Sequence, residues 1–147
     1  MDRNVILHEL APCGLDCSRC VSCSGGVIKK MSDDLSAALA GFEHKAPFFA
    51  KMAPALEGYP QFTEVLKHFS SAGCSGCRDG GGKFPPCAAK DCYKEKGVDF
   101  CGECSEFPCS RNSFPEPMKT KWIENNTMIK EKSIEEFYRL QKTKPRY

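Results

Sequence analysis

The sequence contains no apolar run approaching the ~18 residues that a membrane-crossing helix needs. Its opening stretch, Met1 to Leu7, is broken at once by His8 and Glu9, so a secretory leader is not expected. No HExxH, nucleophile elbow or dinucleotide fingerprint occurs. The glycine-rich run Gly80-Gly81-Gly82-Lys83 lacks the remaining positions of a phosphate-binding loop and has no strand before it. A strand–helix repeat, as in a barrel enzyme, is missing too. On these absences a secreted, membrane-spanning or collagen-like protein is not expected, and no established catalytic motif is offered. The expectation is a small cytoplasmic protein, more a binder than an enzyme.

What the sequence has instead is cysteine. Eleven occur in 147 residues, beside three histidines and one tryptophan, in a chain that is 41% hydrophobic and 27% charged. That balance is globular rather than disordered. In a reducing compartment such a density points to metal rather than to disulfides, and an odd number cannot pair completely. The cysteines fall in two islands, residues 13–23 and 74–109, and the segment 24–73 between them has none.

Four C-x-x-C pairs are present: Cys17/Cys20, Cys20/Cys23, Cys74/Cys77 and Cys101/Cys104. Two intervening residues let both sulfurs of a tight turn face one ion, and the backbone N–H groups of the turn can bond the thiolates. Cys74-Ser75-Gly76-Cys77 and Cys101-Gly102-Glu103-Cys104 read as two such knuckles. Their spacing, C-x2-C-x23-C-x2-C, is close to that of four-cysteine zinc sites. The first island, with Cys13, Cys17, Cys20 and Cys23, can hold an ion alone or share one with Cys87, Cys92 or Cys109; spacing does not choose. The expected cofactor is zinc, two ions each held by four thiolates. An iron–sulfur cluster is the alternative, because Cys17, Cys20 and Cys23 have the first half of a ferredoxin spacing. The sequence has Pro86-Cys87 and Pro108-Cys109, the reverse of the Cys-Pro such clusters prefer. Since Zn²⁺ with four thiolates carries about −2, two sites would move the formal charge of +2 to about −2. His8, His44 and His68 read as ordinary surface or core residues, and Asp16 and Glu103, beside the cysteines, as solvated.

Helical periodicity is clear in places. Ser32 or Asp33 is expected to cap a helix carrying Leu35, Ala38, Leu39 and Phe42, which Pro47 ends or bends. Pro60 suits a first turn, Phe62, Val65, Leu66 and Phe69 form the stripe of a second helix, and Gly73 stops it. These two helices, within 32–73, are expected to supply the main apolar core. Cys87 to Lys96 forms a short helix, and a hairpin is allowed at the knuckles. After Pro117, Trp122, Ile123 and Ile129 share one side of a polar helix, and Ser133-Ile134-Glu135-Glu136 opens the last helix as a capping box. From residue 118 onward eight Lys/Arg face four Asp/Glu. Lys119, Lys121, Lys130, Lys142, Lys144 and Arg146 are candidates to touch nucleic acid, although the interleaved glutamates favour a solvated face.

The segments Ala11-Pro12-Cys13-Gly14-Leu15-Asp16-Cys17-Ser18-Arg19-Cys20, Cys74-Ser75-Gly76-Cys77-Arg78, Cys87 with Cys92, and Phe100-Cys101-Gly102-Glu103-Cys104-Ser105-Glu106-Phe107-Pro108-Cys109 together resemble a cysteine-rich bacterial and archaeal family filed as domain of unknown function 3795. The resemblance implies a small, zinc-binding protein without an assigned activity. Cys23 stands outside its pattern. The expectation is thus one mainly α, metal-stapled domain over 1–147, with helices packed around irregular zinc-knuckle loops and C-terminal helices within 118–143. The expected ligands are Cys13, Cys17, Cys20, Cys74, Cys77, Cys87, Cys92, Cys101, Cys104 and Cys109. The expected role is a module that binds a protein or nucleic-acid partner and no membrane; a thiol or iron–sulfur redox protein is the rival.

Overall fold

The computed structural model describes residues 2–82 and 84–147; Lys83 of the glycine-rich turn lies outside them. Among the described residues seven α-helices follow one another: α1 (Arg3–Glu9), α2 (Val27–Ala38), α3 (Ala46–Ala50), α4 (Tyr59–Ser70), α5 (Ala89–Lys96), α6 (Glu116–Glu131) and α7 (Ile134–Lys142). Three 3-10 turns, Phe42–His44, Pro54–Gly58 and Cys101–Glu103, complete them. Among the described residues there is no strand, only an isolated antiparallel bridge between Leu10 and Asp16. The allowed hairpin at the knuckles is therefore absent there, and Cys101–Glu103 is a 3-10 turn instead. The chain divides into two compact units, Met1–Ser18 with Cys74–Tyr147, and Arg19–Gly73.

In the first unit, local chemistry fixes the helix ends. The Asp2 carboxylate accepts the Asn4 N–H at 2.9 Å to open α1, and Ser133 Oγ accepts the Glu136 N–H at 3.1 Å to open α7, the N-cap half of the expected capping box, while the Glu136 carboxylate pairs with Lys132 at 2.8 Å. Helix α1 turns Ile6 inward and Leu10 follows one turn later. These two pack with Phe100, Ile129, Ile134, Phe137 and Tyr138 into one apolar cluster. Phe100 and Phe137 are fully buried, each worth about 1.5–3 kcal/mol of hydrophobic stabilisation. A second cluster gathers Ala11, Cys13, Cys87, Ala89, Phe107, Phe114 and Trp122, with further cysteines at its edge. Trp122 meets Phe107 and Phe114 edge-on, at 5.1 and 5.8 Å between ring centres.

Helix α6 starts at Glu116 and buries Trp122, Asn125, Asn126 and Ile129. The two asparagines lie three and four residues after Trp122, on its side of the helix, and are buried polar groups. Asn126 Nδ2 donates to Cys13 O at 2.8 Å and to Trp122 O at 2.9 Å, and its Oδ1 accepts the Gly102 N–H at 2.9 Å. Asn125 Nδ2 donates to Gly14 O at 3.2 Å. Buried amides satisfied in this way are tolerated, because their alternative partners are backbone groups that would otherwise be orphaned.

In the second unit, α2 begins at Val27, with Gly26 as its cap, several residues before the expected start. Ser32, expected as a cap, is buried inside the helix. The pairs Lys29–Asp33 and Lys30–Asp34, one turn apart at 2.9 and 2.6 Å, support this N-terminal extension. Helix α2 closes before Pro47, which sits in the first turn of α3. Helix α4 carries Pro60 in its first turn as expected and ends at Ser70. The stripes of 32–73 do not form the main core. Leu35, Phe62 and Val65 remain 42, 41 and 52% exposed, and the two apolar clusters of buried residues both lie in the first unit.

Candidate metal centre

Nine of the eleven cysteines belong to the first unit, and all eleven carry free thiols. Eight of these nine sulfurs fall into two groups, one drawn from both sequence islands and one from the second island alone.

The first group joins Cys13 and Cys17, after α1, with Cys77 and Cys87. The Cys13 thiol is hydrogen-bonded to Cys87, and the Cys17 thiol to Cys77. In each pair the pKa of one sulfur is lowered and that of its partner raised. The Cys13 thiol, the N–H groups of Lys90 and Ala89 and the charge of Lys90 together bring Cys87 down to about 6, against the effect of burial. The bond from Cys17 lowers Cys77 likewise. Their partners Cys13 and Cys17 are pushed up, by those same bonds and by burial. Backbone N–H groups of Leu15 and Cys77 also reach the sulfurs of Cys13 and Cys17. Cys87 sits directly before α5, whose first free N–H groups favour a negative sulfur. The end of that helix is held from a distance: Asn112 Oδ1 accepts the N–H of Ala88 at 2.8 Å and of Ala89 at 3.2 Å.

The loop 74–82 wraps around Cys77. A Cβ on Gly82 would lie 2.7 Å from Cys77 Sγ, so only glycine lets the backbone approach this sulfur. Cys74 turns away to donate to Gly81 O at 3.3 Å. Arg78, next in the chain, anchors the loop to the main chain: its guanidinium donates to Leu7 O at 2.9 Å and Asp99 O at 2.6 Å and lies 5.0 Å from the centres of the Tyr93 and Phe100 rings.

The second group comprises Cys92 on α5, Cys101 and Cys104 on the 3-10 turn, and Cys109. All four line one small hollow of about 20 Å³, whose walls include Val98, Phe107 and Trp122. Burial pushes the Cys101 thiol up to about 11, against the indole N–H of Trp122, which favours its thiolate. That N–H is buried and has no hydrogen-bond partner of good geometry. The Arg111 guanidinium pairs with Glu95 at 2.8 Å and also reaches the Cys92 sulfur. The turn itself is pressed onto α6: a Cβ on Gly102 would lie 2.4 Å from Asn126 O. The two knuckles, Cys74/Cys77 and Cys101/Cys104, therefore belong to different groups, although their spacing suggests one site.

Among the described residues, no set of three or more Cys, His, Asp or Glu side chains is gathered closely enough to ligate an ion as it stands. Cys20 and Cys23 belong to the second unit, where both are half-buried. His8, His44 and His68 are exposed. Asp16 is not solvated as expected but 3% exposed. Its carboxylate accepts Ser18 Oγ at 2.7 Å and Lys142 Nζ at 3.1 Å. Glu103 accepts the N–H groups of Asp99 and Phe100 and pairs with Arg3. Sequence reading passes over Trp122, Asn112, Asn126 and Arg78 as supports of the sulfur groups. A lone tryptophan or asparagine on a helix gives no signal until its distant partner is known; only Arg78, beside a knuckle, is marked by position.

The basic tail is largely consumed internally. Lys142 meets Glu9 at 2.5 Å and Asp16, Lys132 meets Glu136 at 2.8 Å, and Lys119 and Lys121 pair with Glu116 and Glu124 at 3.7 and 3.5 Å. No curated protein and no solved structure matches the chain. A family profile does, over residues 9–113, a span that takes in all eleven cysteines and the turn, loop and helix positions that hold their sulfurs; the chain belongs to the protein family of unknown function DUF3795.

Proposed function

We propose that this chain is a zinc-binding module of a reducing compartment, with two structural ions and a protein-binding role. One ion is held by Cys92, Cys101, Cys104 and Cys109, the other by Cys13, Cys17, Cys77 and Cys87. The observation that carries the reading is the second group's hollow. Four sulfurs from three segments line a space of about 20 Å³, the size of one small occupant, and an unpartnered indole N–H is buried in its wall. An all-thiolate donor set suits Zn²⁺, and a space of that size fits a single ion rather than a four-iron cluster. The ion would tie α5, the 3-10 turn and the segment around Cys109 together. With an all-cysteine set and no open position for substrate, the role is structural. The paired-off lysines of the tail favour a protein partner over nucleic acid.

A second reading rests on Cys87, brought to about 6 beside the Cys13 thiol at the start of α5. A low-pKa cysteine with a neighbouring thiol is the arrangement of thiol exchange. Elemental analysis of the protein purified without a nickel column separates the readings. Two zinc per chain, no absorption near 400 nm and resistance of the loaded protein to alkylation are expected. A brown protein with iron and sulfide, or a metal-free protein with Cys87 rapidly alkylated, would overturn the zinc proposal.

A further inference from the structure

We propose that the second unit is a self-association module. Val27, Met31 and Leu35 of α2 and Phe62 and Val65 of α4 form one apolar face on which a second copy of this chain docks, completing a four-helix bundle.

Helices α2 and α4 pack against each other. Lys29 Nζ, near the start of α2, donates to Ser70 O at the end of α4 at 2.7 Å, so the two run antiparallel. The inner stripe of α2 holds Ile28, Ser32 and Leu39, and that of α4 holds Tyr59, Thr63 and Leu66, all buried or half-buried. At about 100° per residue, Leu35, Met31 and Val27 fall progressively to one side of the α2 stripe. Phe62 and Val65 fall to the side of the α4 stripe reached by the same sense of rotation. In an antiparallel pair, flanks reached by the same rotation lie on the same side. The five residues therefore share one face, and Lys29 and Asp33 lie on the opposite one.

That face is open. Val27, Met31, Leu35, Phe62 and Val65 are 47, 65, 42, 41 and 52% exposed. Meanwhile the whole segment Arg19–Gly73 fully buries only Gly26, Ser32, Ala46, Tyr59 and Leu66. A helical pair that shows more large apolar residues than it hides lacks its second layer. Five such side chains expose several hundred Å², near the limit of about 300–600 Å² for the largest patch on a monomer. Doubled across a twofold axis and widened by the rim, the area reaches the roughly 1,000 Å² that a specific interface needs.

Charge selects the occupant. The α2 rim carries Lys30 and Asp34, already paired with each other at 2.6 Å, and the α4 rim carries Gln61 and the exposed His68. The face thus offers a nucleic acid or an anionic lipid surface no lysine or arginine without an acidic partner. An identical, electroneutral, apolar face meets it without stranding a charge, and a twofold axis makes the same patch its own complement. The inference is independent of the zinc reading, because none of these residues is a proposed ligand.

The test is the mass of the purified full chain by light scattering after size exclusion, from about 1 to 200 µM. The expected mass is twice 16.3 kDa at the upper end, falling to one chain in the double variant Met31→Glu/Val65→Glu with an unchanged helical circular dichroism. A wild-type chain that stays monomeric throughout, or a dimer that survives in the double variant, would overturn the proposal. Should the double variant lose its helices, amide exchange of the wild-type chain decides. Protection that rises with concentration within Val27–Leu35 and Phe62–Val65 supports the face, and protection that does not change with concentration rejects it.

Discussion

At the residue scale, Trp122 is the most informative side chain. Its ring is edge-packed by Phe107 and Phe114, so the indole cannot swing to find water, and its N–H remains unpartnered. A buried donor without an acceptor costs about 1–3 kcal/mol. A metal-bound Cys101 thiolate would turn that cost into a charge-assisted bond, as groups outside a metal's ligand set commonly do. Trp122→Phe separates the two states. In the metal-free protein it removes an unsatisfied donor and is expected to leave the melting temperature unchanged or slightly raised. In the zinc-loaded protein it is expected to weaken zinc affinity about 10-fold, read by competition with a chromophoric chelator. Equal affinity for wild type and variant would show that the indole does not face a bound thiolate. Nothing in the sequence announces this role, because a single tryptophan at helical spacing looks the same whether its nitrogen is satisfied or not.

At the element scale, legibility followed the range of the interactions. Helix α7 and its Ser133 cap were readable because the cap and the stripe of Ile134, Phe137 and Tyr138 lie within a few residues. The Pro60 start of α4 was readable for the same reason. The start of α2 was not, since Ser32 and Asp33 are good caps in isolation, while Gly26 and two lysine–aspartate pairs set the real beginning. The C-x-x-C turns were legible as turns, but their grouping was not. Gly102 is pressed on Asn126, which also holds Cys13, and contacts over a hundred residues of sequence leave no spacing rule. The clamp between α1 and α7 belongs to this class. Glu9 Oε2 accepts the Tyr138 hydroxyl at 2.8 Å and pairs with Lys142. Burial works to raise the Glu9 carboxyl, but Lys142 and Tyr138 prevail and hold it below its ordinary 4.5. A carboxyl lowered on folding stabilises the folded chain above its unfolded pKa, and the contribution is lost as pH falls through the lowered value. Stability of the metal-free protein is therefore expected to decline below about pH 4.5, and Glu9→Gln to flatten that part of the profile in urea titrations. An identical acid limb in the variant would remove Glu9 from the account.

At the scale of the whole molecule, the two apolar clusters of the first unit differ in what they are made of. The cluster of Ile6, Leu10, Phe100, Ile129, Ile134, Phe137 and Tyr138 contains no cysteine and closes α1 against α7 with large side chains. The other has Cys13 and Cys87 among its buried members and Cys17, Cys77, Cys101, Cys104 and Cys109 at its edge. Around it the chain is held by short helices and turns whose cysteines meet as hydrogen-bonded pairs rather than at a common centre. If ions occupy the sulfur groups, their removal withdraws stability from this cluster and leaves the other standing, because metal-binding free energy is folding free energy only where the ligands are. Chelation of the loaded protein is expected to raise amide exchange by at least about 10-fold over 11–17, 74–82 and 87–109. Protection in α7 and in the antiparallel pair α2 and α4 should change little. Exchange that rises uniformly along the chain would mean that the metal supports one cooperative unit. Exchange that does not rise at all, after verified loss of the ion, would mean that the aromatic packing of Phe107, Phe114 and Trp122 suffices without it.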